Sequence, residues 1–319
     1  MYKRQGIYSP TLNSWVSADG TDDTLVDPDG TPGNGDEYWT SVGLTGYNNG
    51  NGTNSPIVGQ GTGYVGDQAF YYNNAVYVFG GYPRWGGSMD KYDILTNSWS
   101  AVTLGDNDGL YMDGGGLIGT TWYKVHNAGN LMAYDCTTDS WLPDVAIAGL
   151  PDPKFGAGSG VVGNKLYIID TYDAGGAVYE IDPVAGTVTT KTGTPIPVGQ
   201  AGTVVWNNMI YVLGGRMAGG NDFSTSLIQI YDPATDTWFH GSITCPDARS
   251  GMLAEVVGND LFFGNGLDND TGVWNNVMDD LWTVDMNCIC LMAPVPEPGT
   301  MALVGFGLLS LLALKRRKK

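Results

Sequence analysis

Tyr92-Asp93-Ile94-Leu95-Thr96-Asn97-Ser98-Trp99 recurs in variant form at Tyr8 to Trp15, Tyr134 to Trp141, Ile181 to Val188 and Tyr231 to Trp238. An aromatic or branched residue at each end suits a buried sheet face. Asp or Asp-Pro followed by Thr-Asn or Thr-Asp is turn chemistry, so each octet predicts two antiparallel strands around a tight turn. The last residues of the later four octets, 99, 141, 188 and 238, are 42, 47 and 50 residues apart. That spacing is the period of propeller blades, about 40 to 50 residues.

An apolar strand precedes each of these octets: Ala75 to Gly81, Thr121 to Val125, Lys165 to Ile169 and Met209 to Gly215. Asn73-Asn74, Gly163-Asn164 and Asn207-Asn208 supply the turns that introduce most of them, and Gly258-Asn259 introduces another. Each unit is a small sheet that cannot bury both faces alone, so the units must stack. Residues 249 to 285 predict three more strands with no octet after them. Tyr8 to Trp15 is expected to supply the missing outer strand, which would remove an open sheet edge. Glu37-Tyr38-Trp39-Thr40 and Ile57-Val58 could make a degenerate blade of residues 16–60, whose alternative is a long Gly/Asn loop. The expectation is an all-β propeller over 6–290, with six blades favoured and five or seven as the alternatives.

An apolar strand ending in Gly-Gly, a gap, then Tyr and Trp seven residues apart resembles the Kelch repeat. Gly80-Gly81 with Tyr92 and Trp99 fits, as does Gly214-Gly215 with Tyr231 and Trp238. His126-Asn127 and Asp170-Thr171 stand where Gly-Gly would be, and Ile181 and Val188 replace the aromatic pair. The resemblance spans roughly 61–290 and implies a Kelch-like propeller.

The chain has 48 Gly, 18 Tyr and 10 Trp in 319 residues, a charged fraction of 15% and a net charge of -18. Such a composition favours turns and aromatic strands. Its acidity argues against nucleic acid and anionic lipid as partners, because both require clustered Lys and Arg that the body of the chain lacks. Cys136, Cys245, Cys288 and Cys290 form no CxxC pair, which argues against a zinc site, and their disulfide state is left open.

No catalytic or cofactor site emerges from the residues. His126 and His240 are the two histidines and fall in different repeats, too few for a copper radical site. Gly156 to Gly160 places Ser159 at the wrong position for a nucleophile elbow. A glycosidase needs two positioned carboxylates, and 33 acidic residues give no basis for choosing them. Calcium is the weak candidate ligand. Asp27, Asp29, Asp36 and Glu37 share a Gly/Pro-rich loop with Asn34, and oxygen donors there suit a hard cation. Asp106-Asn107-Asp108 and Asp268-Asn269-Asp270 are shorter clusters of the same type; solvated acidic turns are the bland reading of all three.

The C-terminus carries a separate signal. Pro296-Glu297-Pro298 holds an open, extended backbone. Gly299 to Leu314 is an uncharged run of about 24 Å as a helix, short for a stable membrane span. Lys315, Arg316, Arg317, Lys318 and Lys319 would stay cytoplasmic and place the rest of the chain on the far side. This order resembles a PEP-CTERM sorting signal of Gram-negative, biofilm-forming bacteria. The resemblance covers about the last 25 residues and implies an exosortase-type processing enzyme, a transient inner-membrane intermediate, and delivery to the cell surface or extracellular matrix. Residues 291–298 read as a linker and 299–319 as the hydrophobic sorting helix with its basic tail. Met1 to Gln5 leads into no apolar region, so an exported protein is expected to carry its leader upstream of Gly6.

Two functions fit these features. The favoured one is a non-enzymatic surface or matrix protein that binds a polysaccharide or a surface protein, with Trp85 and Trp274 able to stack on sugar rings. The alternative is a secreted carbohydrate-active hydrolase or lyase with carboxylates at the propeller mouth.

Overall fold

The computed structural model describes strand segments 7–9, 14–16, 24–26 and 38–40, and residues 65–292 apart from 83–87, 97, 104–113, 153–155, 172, 174, 218–222, 269–275 and 279. Five antiparallel sheets follow one another, with the strands of each in chain order. Sheet 1 is Val65–Tyr72, Ala75–Tyr82, Ser88–Asp93 and Ser98–Thr103. Sheet 2 is Gly115–Ile118, Thr121–Asn127, Asn130–Asp135 and Ser140–Ala146. Sheet 3 is Gly158–Val162, Lys165–Ile169, Val178–Asp182 and Thr187–Lys191. Sheet 4 is Gly202–Trp206, Met209–Leu213, Ile228–Asp232 and Thr237–His240. Sheet 5 has three strands, Leu253–Val257, Asp260–Gly264 and Leu281–Asp285. The architecture is all-β and built of five propeller-type blades. The chain forms two compact units, one of Met1–Gly156 with Pro183–Gly186 and one of Ala157–Asp182 with Thr187–Lys319.

The octets set the register. Tyr8 lies directly opposite Trp15, Tyr92 opposite Trp99, Tyr134 opposite Trp141, Ile181 opposite Val188 and Tyr231 opposite Trp238. The Asp at the second position ties the turn. Asp93 Oδ1 accepts from the Leu95 and Thr96 amides at 2.9 Å each, and Asp232 Oδ1 accepts from the Ala234 amide at 2.9 Å. At the sixth position Asp139 and Asp236 adopt left-handed backbone, φ 54° and 53°, a conformation Asp tolerates better than most residues. The turns between first and second strands obey the same chemistry. Asn73-Asn74 and Asn207-Asn208 have φ > 0 at both positions, as a type I′ hairpin turn requires.

The sixth-position Asp also links neighbouring sheets. The Tyr134 hydroxyl donates to Asp139 Oδ1, and Asp139 Oδ2 lies 2.9 Å from Lys91 Nζ of sheet 1. Tyr231 donates to Asp236 Oδ1 at 2.5 Å, and the same oxygen accepts from the Thr192 amide at 3.0 Å at the end of sheet 3. Trp238 Nε1 donates to the Thr192 carbonyl at 2.9 Å. The octet is therefore both a hairpin and an inter-blade fastener. Sheet 3 has Gly186 at this position and Ile181 in place of Tyr, so the tyrosine and its acceptor are replaced together. Tyr231→Phe removes a buried hydroxyl bonded to a carboxylate, and we predict a loss of about 1–2 kcal/mol, read from urea unfolding.

Burial follows from stacking. Along Met209–Leu213, Ile210 and Val212 join a cluster with Tyr167, Ile169, Val178, Tyr231 and Trp238 of sheets 3 and 4. Tyr211 and Leu213 join the opposite cluster, with Met252 and, from sheet 5, Leu261 and Phe263. A strand buried on both faces has no polar alternation to keep, which is why it reads as a continuous apolar run. Sheet 1 packs on sheet 2 through Tyr77, Met89, Trp122, Met132 and Tyr134. Phe70 stacks on Tyr77 and Trp122 at 4.7 and 5.1 Å between centroids.

Tyr8 to Trp15 forms the hairpin that its octet predicts, Ile7–Ser9 pairing with Ser14–Val16. Closing a short loop costs far less chain entropy than bringing distant segments together, so the octet folds on itself as its four counterparts do. Residues 16–60 yield no sixth four-stranded blade among the described residues, only the hairpin Thr24–Val26 with Tyr38–Thr40. Helix among the described residues is limited to 3-10 turns such as Met286–Cys288. The predicted C-terminal helix lies outside them, and no described helix is long and apolar enough to cross a membrane.

Candidate functional site

Strand direction places the connections of each sheet. In sheets 1 to 4 the turns between first and second strands and the octet turns leave at one end. The links between second and third strands, two residues in sheet 2 and longer in sheets 1, 3 and 4, leave at the other end with those onward to the next sheet. In the second unit this loop end is built rather than loose. Val198–Gly199 pairs with Arg216–Met217, and Leu267–Asp268 pairs with Asn276–Val277. Met217 donates its amide to the Phe223 carbonyl at 2.8 Å, and Ser250 exchanges backbone bonds with Leu267 at 3.0 and 2.8 Å. Gln229 ties its own strand, Ile228–Asp232, to the segment before Val198 by bonding both the amide and the carbonyl of Ile196, at 3.0 and 2.8 Å. Phe223 and Trp282 remain 45% and 41% exposed at this end.

Arg249 is the centre of the loop end and is fully buried. Its Nη1 and Nη2 donate to Asp280 Oδ1 and Oδ2 at 2.5 and 2.9 Å, a bidentate fork. Nη1 also reaches the Asn265 carbonyl at 3.2 Å, and Nη2 reaches Asp247 at 3.3 Å. Trp282 Nε1 donates to Asp280 Oδ2 at 2.6 Å. The Arg249 guanidinium, followed by the indole, holds the Asp280 carboxyl below the ordinary carboxylate range. Nothing in the octet pattern marks this cluster. Its only signal is that Arg249 is the last cation before the basic tail, in a chain where acids outnumber bases 33 to 15.

The Gly-Gly of sheet 4 lies against this cluster. Gly214 and Gly215 have φ +59° and +101°, and a Cβ on Gly214 would come 2.5 Å from Met252 Cε and 2.8 Å from the Arg249 carbonyl oxygen. Sheet 5 meets the same demand with Asn265 and Gly266, φ 58° and 93°.

The sequence candidates scatter. His240 ends Thr237–His240, exposed, with Nδ1 3.3 Å from the Gly241 carbonyl oxygen. His126 lies in Thr121–Asn127 of another sheet, and Ser159 sits inside the strand Gly158–Val162 rather than on an elbow. Asp27, Asp29, Asp36, Glu37, Trp85, Trp274 and Asp106 to Asp108 lie outside the described residues, as do Pro296, Glu297, Pro298 and Lys315, Arg316, Arg317, Lys318 and Lys319. Among the described residues no three His, Cys, Asp or Glu converge as a metal site. Three acids are engaged structurally: the exposed Asp139 with Lys91 and Tyr134, and the half-buried Asp236 with Tyr231 and Asp280 with Arg249. Hydrogen bonds and nearby cations hold all three below the ordinary range despite partial desolvation, opposite to what a general acid needs, whereas burial raises the Glu255 carboxyl.

Repeated sheets, octet fasteners and the Gly-Gly turn define the class, a Kelch-like β-propeller. The Kelch motif itself matches residues 197–242, which contain all of sheet 4, and the PEP-CTERM protein-sorting motif matches residues 294–318. The chain is 25% identical over 247 residues to the Kelch-like protein terF of Aspergillus terreus, covering 68% of this chain and 51% of that protein. It is 28% identical over 185 residues to Kelch-like protein 36 of Bos taurus and 27% to that of Mus musculus, covering 53% of this chain and 29% of each relative. The chain thus spans about half the length of the fungal relative and under a third of the mammalian ones. The sorting motif marks an exported protein.

Proposed function

We propose that this is an exported binding propeller, sorted by an exosortase-type enzyme acting at Pro296-Glu297-Pro298 and held at the cell surface or in the extracellular matrix. The observation that carries the binding role is the ladder-braced loop end, where Phe223 and Trp282 are displayed on a fixed frame. Binding surfaces of repeat folds are built from loops that a rigid scaffold positions. A net charge of -18 disfavours an acidic partner, and exposed aromatic rings suit the apolar faces of sugars, so the partner class we assign is a neutral polysaccharide.

The structural engagement of Asp139, Asp236 and Asp280 favours this reading over a glycoside hydrolase or lyase. A glycan array on residues 6–294, combined with product analysis, tests it. Retention of neutral glycans without turnover, weakened at least tenfold by Phe223→Ala or Trp282→Ala, is the expected result. Turnover of any glycan would sink the binding-only reading, and retention untouched by both substitutions would move the site elsewhere.

A further inference from the structure

The four cysteines divide into two kinds. Cys136 and Cys245 are buried, and burial pushes both thiols up to about 11, which keeps them protonated and unreactive near neutral pH. Cys288 and Cys290 are exposed and one residue apart. Between them Ile289 is buried in the cluster that holds Met252, Leu261 and Met286. With the middle residue buried, both cysteines remain on the solvent-exposed side of the same segment.

That segment is held in place. Cys290 donates its amide to Ser242 Oγ at 2.9 Å, and the Ser242 amide donates to the Cys290 carbonyl at 2.9 Å. Ser242 Oγ reaches the Cys288 carbonyl at 3.4 Å, and the Met292 amide donates to the His240 carbonyl at 3.0 Å. Ile289, at φ -91° and ψ 87°, is bent between extended and inverse-γ conformations. Two fully extended residue steps span at most about 7 Å. A bend at the middle residue brings the outer Cα atoms nearer, towards the roughly 4.4–6.8 Å that a disulfide needs.

We propose that Cys288 and Cys290 are a redox-active pair that closes a local disulfide by exchange with a small-molecule or protein disulfide. One thiolate attacks the donor S–S bond, forming a mixed disulfide and releasing the first donor thiolate. The second cysteine thiolate then attacks the cysteine sulfur of that mixed disulfide and releases the second donor thiolate. Two electrons pass to the donor, which takes up the two protons the cysteines lose. The tight ring and exposed position make the product easily reduced, as strained surface disulfides are. The pair lies where the chain leaves the last sheet for the sorting motif, so oxidation would stiffen the clasp from which that tail departs.

Oxidised glutathione is the probe. The folded full chain is incubated with it at mildly alkaline pH, quenched with N-ethylmaleimide and read by intact mass and peptide mapping. The expected product has lost two hydrogens, carries no glutathione and maps a Cys288–Cys290 bridge. Cys288→Ser and Cys290→Ser should instead stop at a single glutathione mixed disulfide, while Cys136 and Cys245 stay unlabelled until the protein is unfolded. Accumulation of glutathione on both cysteines, or two thiols still open to N-ethylmaleimide, would overturn the proposal. The export reading supplies only the biological setting. A protein found inside the cell would leave this result unchanged.

Discussion

Asp280→Ala is expected to destabilise the protein by about 3–5 kcal/mol, because it leaves the guanidinium of Arg249 buried with no adequate counter-charge. Arg249 is 0% exposed, and its second acidic neighbour, Asp247, is 53% exposed at 3.3 Å and too weakly placed to compensate. For a domain of this size the loss corresponds to a fall in Tm of the order of 10 °C, measurable by calorimetry. Asp247→Ala should cost less than about 1 kcal/mol.

The pH dependence has a definite sign. Arg249 lowers the folded-state pKa of Asp280, so the contribution is complete above the unfolded value, about 3.9. It is lost as pH falls through the lower folded value. Asp280→Asn should therefore unfold with a shallower acid limb than the parent protein below about pH 4. Loss of less than about 1 kcal/mol for Asp280→Ala would mean that the fork is not the buried anchor described here.

Gly214→Ala is expected to cost about 2–4 kcal/mol. Left-handed backbone costs an alanine about 1 kcal/mol, and the remainder is overpacking, since the new methyl meets Met252 Cε at 2.5 Å and the Arg249 carbonyl oxygen at 2.8 Å. Gly163→Ala separates the two contributions: Gly163 has φ +62° with nothing within 4 Å, so only the backbone cost of about 1 kcal/mol applies. Equal losses in the two variants, by urea unfolding, would show that close approach plays no part in the Gly-Gly requirement.

Much of the fold was legible because it is local. Residues seven apart in each octet became direct cross-strand partners, and Asn73-Asn74, Gly163-Asn164, Asn207-Asn208 and Gly258-Asn259 became the two-residue turns between first and second strands. A turn and its flanking strands are specified within about ten residues, where side-chain chemistry acts directly on φ and ψ. The fastening role of Asp139 and Asp236 was hidden, since their partners Lys91 and Thr192 are 48 and 44 residues away. Sheet 5 concealed its Gly-Gly equivalent because the requirement is for left-handed backbone, which Asn265 meets as well as glycine. The Arg249–Asp280 fork joins positions 31 residues apart that share no motif.

The last sheet shows the limit of repeat reasoning. Leu261 and Phe263 are buried on its packed face, while Leu253 and Val257 are 63% and 58% exposed on the other. The period predicts a blade but says nothing of what covers its outer face.

The most direct test of an exported propeller with a removable address is the intact mass of the protein recovered from outside the cell, expressed behind a secretory leader in a bacterium that carries an exosortase-type enzyme. The mature chain should end at or near Pro296-Glu297-Pro298, lack Lys315 to Lys319, and unfold as cooperatively in urea as residues 6–294. A full-length mass that retains Lys319, unchanged when Glu297 is substituted, would contradict the account.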